Sequence, residues 1–345
     1  MTHQLLLVSC VLLLLSGCDL FTQPPPSVPQ AVVVTSDGLV RLLTGDDESV
    51  ETSWTRDVAA SNVAGIVAGS QSLTVASGTG VHQFRVDDGE SDWASLELSS
   101  DILRVVGGED EQAFVLGFNE LTALSTSTGA VVWTRSLLDD LLGVSDSAIA
   151  TSSSVLALGG NPNRLLNTAT GATLVEEVVL QGDVSQVAFD GAQLLVADTR
   201  GLHAIDADDL GTIWDYNDPG AVGVDRFVIG SDGILVSVLG SGLTLIDSTT
   251  GEAVGIAEEG EAFRDVVSWS GGFLAARSDG VLIAFDTSLG EVWRVTGAPD
   301  FGGLSVGDRN VYYSTGGQLE ALSTEAGDYL WSRDFGESVV GLSAL

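Results

Sequence analysis

"LTALSTSTGAVVW", Leu121–Trp133, reads as a short strand, a polar turn and the start of another strand, and the chain writes it again and again. Close copies stand at Leu202–Trp214 ("LHAIDADDLGTIW"), Leu282–Trp293 ("LIAFDTSLGEVW") and Leu319–Trp331 ("LEALSTEAGDYLW"). Diverged copies run over Val81–Trp93, Leu243–Gly255, Asn163–Val175 and Leu39–Trp54, the last with an insertion after Gly45. They end at Trp54, Trp93, Trp133, Val175, Trp214, Gly255, Trp293 and Trp331, giving successive intervals of 39, 40, 42, 39, 41, 38 and 38 residues. A period this even marks a repeat architecture.

Between the copies lies a second pattern, a turn followed by an alternating strand: "DGAQLLVAD" (Asp190–Asp198), "SDGILVSVL" (Ser231–Leu239), "SGGFLAARS" (Ser270–Ser278) and "DRNVYYSTG" (Asp308–Gly316). Each period therefore holds about four short strands and little room for helix, which is the blade of a β-propeller. Eight periods predict an all-β, eight-bladed ring of four-stranded blades. The first blade lacks an innermost strand, because the repeat enters at "AVVVTSDG", whereas "VVGL" at Val339–Leu342 matches "VAGI" at Val63–Ile66 and ends the chain. The C-terminal strand is thus expected to complete the N-terminal blade. Six tryptophans, Trp54, Trp93, Trp133, Trp214, Trp293 and Trp331, start outer strands and are read as blade-docking residues. The turn glycine before each is read as a positive-φ position. Val175 and Gly255 mark two seams that must be packed differently.

Ahead of the repeats, Leu5–Leu15 is an apolar run too short to span a membrane and fits a signal-peptide core, so residues 1–17 are read as a signal peptide. "LSGC", Leu15–Cys18, resembles a bacterial lipobox, which makes Cys18 the lipidated residue. "TQPPPSVPQ", Thr22–Gln30, extends residues 18–30 into a proline-rich tether, and 31–345 is the propeller. Acyl chains on Cys18 would hold the protein at a membrane. Cys10 leaves with the signal peptide, so no thiol remains for a disulfide or a nucleophile.

Forty-eight acidic residues stand against 13 basic ones, all arginine, for a formal net charge of −35. So negative a field repels phosphate backbones and argues against nucleic-acid binding. With 44% hydrophobic residues and seven tryptophans, the charge belongs to the surface of a folded domain.

The pattern Ala123-Leu124-Ser125 with Gly129 and Trp133, and Ala204-Ile205-Asp206 with Gly211 and Trp214, resembles the PQQ-like repeat family over about Ala31–Leu345. A lipobox, a tether and a single eight-bladed propeller of this kind are together similar to the BamB lipoprotein family of the outer-membrane β-barrel assembly machinery. That resemblance implies a monomeric, non-catalytic platform that binds an envelope protein. Asp19 resembles an inner-membrane retention signal of enteric bacteria, which leaves the choice of membrane open.

The propeller fold also hosts quinoprotein dehydrogenases, but the body has no cysteine pair and no added segments to roof a quinone, so no cofactor is expected. His82 and His203 share one repeat position in different blades and read as polar residues on a strand face, not as metal ligands. "GDDES" (Gly45–Ser49), "GEDEQ" (Gly108–Gln112) and "DADDLG" (Asp206–Gly211) lack the order of an EF-hand loop and read as solvated turns. No metal site follows. The second functional reading is a propeller holding a small molecule or cation in its central funnel, which would require residues from several innermost strands to converge.

Overall fold

Both faces of a blade must be buried against neighbours, so the second strand of each repeat is apolar at consecutive positions rather than at alternate ones. In Gln193–Asp198, Leu194 and Val196 enter one inter-blade core while Leu195 and Ala197 enter the next. The computed structural model describes residues 28–45, 49–58, 62–69, 71–93, 95–108, 111–137, 149–159, 163–178, 184–217, 223–238, 240–297 and 301–345. These form 32 strands in eight antiparallel sheets of four, with no helix among the described residues. The signal peptide, Cys18 and the tether up to residue 27 lie outside the described residues.

Blade 1 joins Val28–Thr35, Leu39–Gly45 and Val50–Asp57 to Val339–Ala344 from the other end of the chain. Its first strand begins at Val28, inside the stretch read as tether. Blades 2 to 8 follow in order, each from four consecutive strands. Their innermost strands are Val63–Ala68, Ile102–Gly107, Ile149–Thr151, Val184–Asp190, Val224–Ile229, Phe263–Trp269 and Phe301–Val306. Each packs beside the innermost strand of the next blade, and Val339–Ala344 lies between those of blades 8 and 2, which closes the ring.

The closing strand pairs antiparallel with the first, setting Val33 opposite Leu342 and Val34 opposite Gly341. Gly341 is the residue that fits: a Cβ there would stand 3.2 Å from both Ile66 Cδ1 and Val63 Cγ1 of blade 2. Eight hydrophobic clusters result, one at each seam, and every one draws on two adjacent blades. Each fully buried Leu, Val or Phe contributes about 1.5–3 kcal/mol. With no disulfide in the body, these seams and the closing strand hold the ring.

Candidate functional site

The tryptophans lie at the outer rims of blades 1, 2, 3, 5, 7 and 8. Five donate the indole N–H to a carbonyl oxygen in the turn of the following blade. Trp54 bonds Val86 (3.0 Å), Trp93 bonds Thr126 (3.0 Å) and Trp133 bonds Thr168 (2.8 Å). Trp214 bonds Ser248 (2.9 Å) and Trp293 bonds Thr324 (2.8 Å). The same turn lays a glycine against the ring. At Gly129, φ is +67° and an added Cβ would fall 2.4 Å from Trp93 Cδ2, so both backbone and space require glycine. Gly89, Gly171, Gly251 and Gly327 repeat this contact.

Where the tryptophan is absent, the facing turn changes with it. Val175 of blade 4 packs against the same inter-blade cluster as Leu210, whose φ is +62°, and Gly255 of blade 6 meets Leu289, whose φ is +65°. Leucine in this conformation costs about 1–2 kcal/mol. Half-burying its side chain at that seam offsets part of this, full burial of a leucine being worth about 1.5–3 kcal/mol. The sequence reading puts the positive φ on the turn glycine; in blades 5 and 7 it belongs instead to the leucine one residue ahead of Gly211 and Gly290. At the closing seam, the Trp331 indole N–H is buried with no acceptor among the described residues. The corresponding turn of blade 1 is the one lengthened after Gly45.

The channel wall is built from the innermost strands. Seven of them carry a bulge near the start, followed by the register-equivalent residues Gly65, Arg104, Gln186, Arg226, Asp265, Gly303 and Gly341. The residue after each turns into a seam, as Val105, Phe227 and Val266 do. Gln186 is fully engaged: its Nε2 donates to the carbonyl oxygen of Phe227 (3.0 Å) and its Oε1 accepts from the Phe227 N–H (2.9 Å), stitching blade 5 to blade 6. Asp265 lies 3.8 Å from Arg226 Nη1, a loose ion pair. Burial raises its carboxyl above the ordinary value, against the pull of Arg226, the Val266 N–H and Arg104 from the facing side of the ring.

His82 and His203 stand in blades 2 and 5 and do not meet, and no group of three metal-ligating side chains occurs among the described residues. Their shared repeat position hides different surroundings. His203 Nδ1 lies 2.7 Å from Asp215 Oδ1, and its Nε2 is 3.2 Å from Asp198 Oδ1, off the hydrogen-bond direction. Asp198 is fully buried and accepts from the N–H groups of Arg200 and Gly201. Burial pulls the His203 ring down, but the two carboxylates outweigh it and leave its pKa raised. At His82 burial outweighs Glu97 and Asp57, and the pKa is lowered.

The outer edges differ in a way the sequence pass did not single out. Each outermost strand leaves one row of backbone N–H and C=O groups unpaired, and such edges are ordinarily guarded by charge. Seven carry a charged residue, from Val50–Asp57 in blade 1 to Tyr329–Asp334 in blade 8. The outermost strand of blade 6, Ala253–Ala257 ("AVGIA"), has none, and its Val254 and Ile256 are each 59% exposed. The signal was available as the run of uncharged residues after Glu252.

The family model described as "Outer membrane protein assembly factor BamB" matches residues 15–161 and 117–277. No curated protein matches the sequence. Among solved structures, BamB from Moraxella catarrhalis is 14% identical, with a TM-score of 0.60 over 82% of this chain and 92% of that one. Apo AztD from Citrobacter koseri is 11% identical, with a TM-score of 0.73 over 93% and 98%. Dihydro-heme d1 dehydrogenase NirN in complex with DHE is 13% identical, with a TM-score of 0.69 over 91% of this chain and 74% of that one. At these identities the likeness is one of fold, shared by a dehydrogenase as well as by an assembly factor.

Proposed function

The chain belongs to the PQQ-repeat family described as outer membrane protein assembly factor BamB, and from that premise we propose that it is a lipid-anchored, non-catalytic docking platform serving outer-membrane protein assembly in the cell envelope. Residues 1–17 direct export, Cys18 carries the lipid and the proline-rich tether holds the ring away from the membrane. The observation that carries the docking role is the uncharged edge of blade 6. Its free backbone groups offer a ladder to an incoming strand, and Val254 and Ile256 on one face offer apolar contacts to alternate side chains of that strand. A strand of an envelope protein, rich in alternating apolar residues, is the partner this edge fits.

The test is photo-crosslinking in intact cells from Val254 and Ile256, with Val292 on the neighbouring charged edge as a control. The expected result is capture of an envelope protein of the assembly machinery or one of its substrates from blade 6, and its loss in the Ile256→Lys variant. Equal capture from Val292, or capture unaffected by Ile256→Lys, would overturn the assignment to this edge.

A further inference from the structure

We propose that the cavity walled by Trp269 binds the ammonium group of a small organic cation. The cavity opens to solvent where the innermost strands of blades 7, 8 and 1 end, and encloses about 220 Å³. At about 30 Å³ per water molecule, that is room for a ligand of about seven heavy atoms. The site is separate from the outer edge of blade 6 and stands whether or not that edge docks a partner.

Of the seven tryptophans, Trp269 alone stands outside the seam position, and it belongs to none of the eight inter-blade clusters. It closes the innermost strand of blade 7, at a place where blades 2, 3, 6 and 8 have Gly69, Gly108, Gly230 and Gly307. The fold therefore needs no large ring here. A Cβ on Gly271 would fall 2.4 Å from Trp269 Cη2 and 2.6 Å from Cζ3, so the indole folds over its own turn. The rest of the half-buried ring lines the cavity. Its N–H meets no acceptor among the described residues, so packing alone holds it in place.

Across the cavity stands Asp308, from the turn that follows the innermost strand of blade 8. It is exposed, and its carboxylate makes no hydrogen bond or ion pair with a described residue. Arg309 follows it in the chain but does not line the cavity. Ser270 adds a hydroxyl group, and Val306 and Ala344 add apolar wall. An indole attracts a cation through its π-system, and an unpaired carboxylate beside it supplies the opposite charge, the combination that holds an ammonium group. The formal net charge of −35 favours the same choice, because a negative field gathers cations at a concave opening and repels anions.

The experiment is calorimetric titration of the full-length protein in a non-ionic detergent with choline, with ethanolamine and with 3,3-dimethyl-1-butanol, the uncharged isostere of choline. The expected result is saturable binding of at least one ammonium probe and none of the isostere. Binding should weaken tenfold or more in both Trp269→Leu and Asp308→Asn, and Trp269→Phe should keep part of it. A Cβ at Gly307 would stand 3.6 Å from that of Ala344, an ordinary contact, so Gly307→Val should fold normally and block the cavity. Competition by micelles doped with phosphatidylethanolamine would assign the ammonium to a lipid headgroup, and its absence to a free solute. The proposal is overturned if neither ammonium probe binds at millimolar concentration, if the isostere binds as well as choline, or if binding survives Asp308→Asn and Gly307→Val unchanged. Asp308 is an exposed turn residue, so unaltered melting of Asp308→Asn ties its loss of binding to the site.

Discussion

Gly327→Ala should destabilise the ring far more than a single methyl suggests. The added Cβ would lie 2.7 Å from Trp293 Cδ2 and Cε3, where ordinary contacts begin near 3.4 Å. The indole is 7% exposed and held by its bond to the Thr324 carbonyl at 2.8 Å, so it cannot move aside without giving up that bond. Overpacking of this kind costs about 1–3 kcal/mol. The φ of +68° adds the left-handed penalty of about 1–2 kcal/mol. Together these predict about 2–5 kcal/mol, measured as the shift in urea-induced unfolding followed by far-ultraviolet circular dichroism. Trp293→Val alone creates a cavity and should cost about 3–5 kcal/mol by analogy with other large-to-small changes. In the double variant the clash is gone, so the two losses should fall short of additivity by about 1–3 kcal/mol. A Gly327→Ala loss below about 0.5 kcal/mol, the scatter of ordinary surface substitutions, would refute the packing argument. So would strict additivity.

Three further outcomes follow from the titrating groups and the anchor. The raised His203 pKa means its pairing with Asp198 and Asp215 stabilises the fold fully below the ordinary histidine value of 6.5 and fades as pH rises through the folded value. The melting deficit of His203→Gln should accordingly be larger at pH 5.5 than at pH 9, and a deficit independent of pH would refute the ion-pair reading. Asp265 has the opposite sign: its raised carboxyl makes ionisation costly, so Asp265→Asn should melt higher than the parent at neutral pH and equal to it below the ordinary carboxylate range. Cys18→Ser should move the protein from the membrane to the soluble fraction of lysed cells, and fractionation of the parent on a density gradient distinguishes the inner membrane favoured by Asp19 from the outer one.

The propeller was legible because its rules are local. A strand, a polar turn and a tryptophan recur within a dozen residues, and the missing inner strand of blade 1 could be matched to Val339–Leu342 by simple comparison. What escaped the sequence is what the ring brings together from afar. Arg226 and Asp265 share no motif, and only the neighbouring innermost strands of blades 6 and 7 bring them to 3.8 Å. His82 and His203 hold one repeat position, yet the carboxylates beside His203 come from neighbouring strands and reverse the direction of its titration. Leu210 and Leu289 escaped for a different reason: each breaks the rule that positive φ belongs to glycine, and the break makes sense only when the missing indole across the seam is seen.

That exchange of indole for leucine bears on the docking edge. In most blades the outer strand must deliver a tryptophan to the next turn, which fixes its middle residue and holds the strand to the seam. In blade 6 the duty is reversed: Leu289 reaches back from blade 7, and the middle residue of Ala253–Ala257 is Gly255, which fills nothing. The middle of the strand is thereby released from filling the seam, and the two side chains flanking Gly255 are the exposed Val254 and Ile256. Restoring the common arrangement with Gly255→Trp and Leu289→Gly tests whether the two features are linked. If the release of this strand is what lets it accept a partner strand, the double variant should fold with a stability near that of the parent and capture less partner in the crosslinking experiment. Full capture by a stable double variant would separate the edge chemistry from the seam and assign docking to Val254 and Ile256 alone.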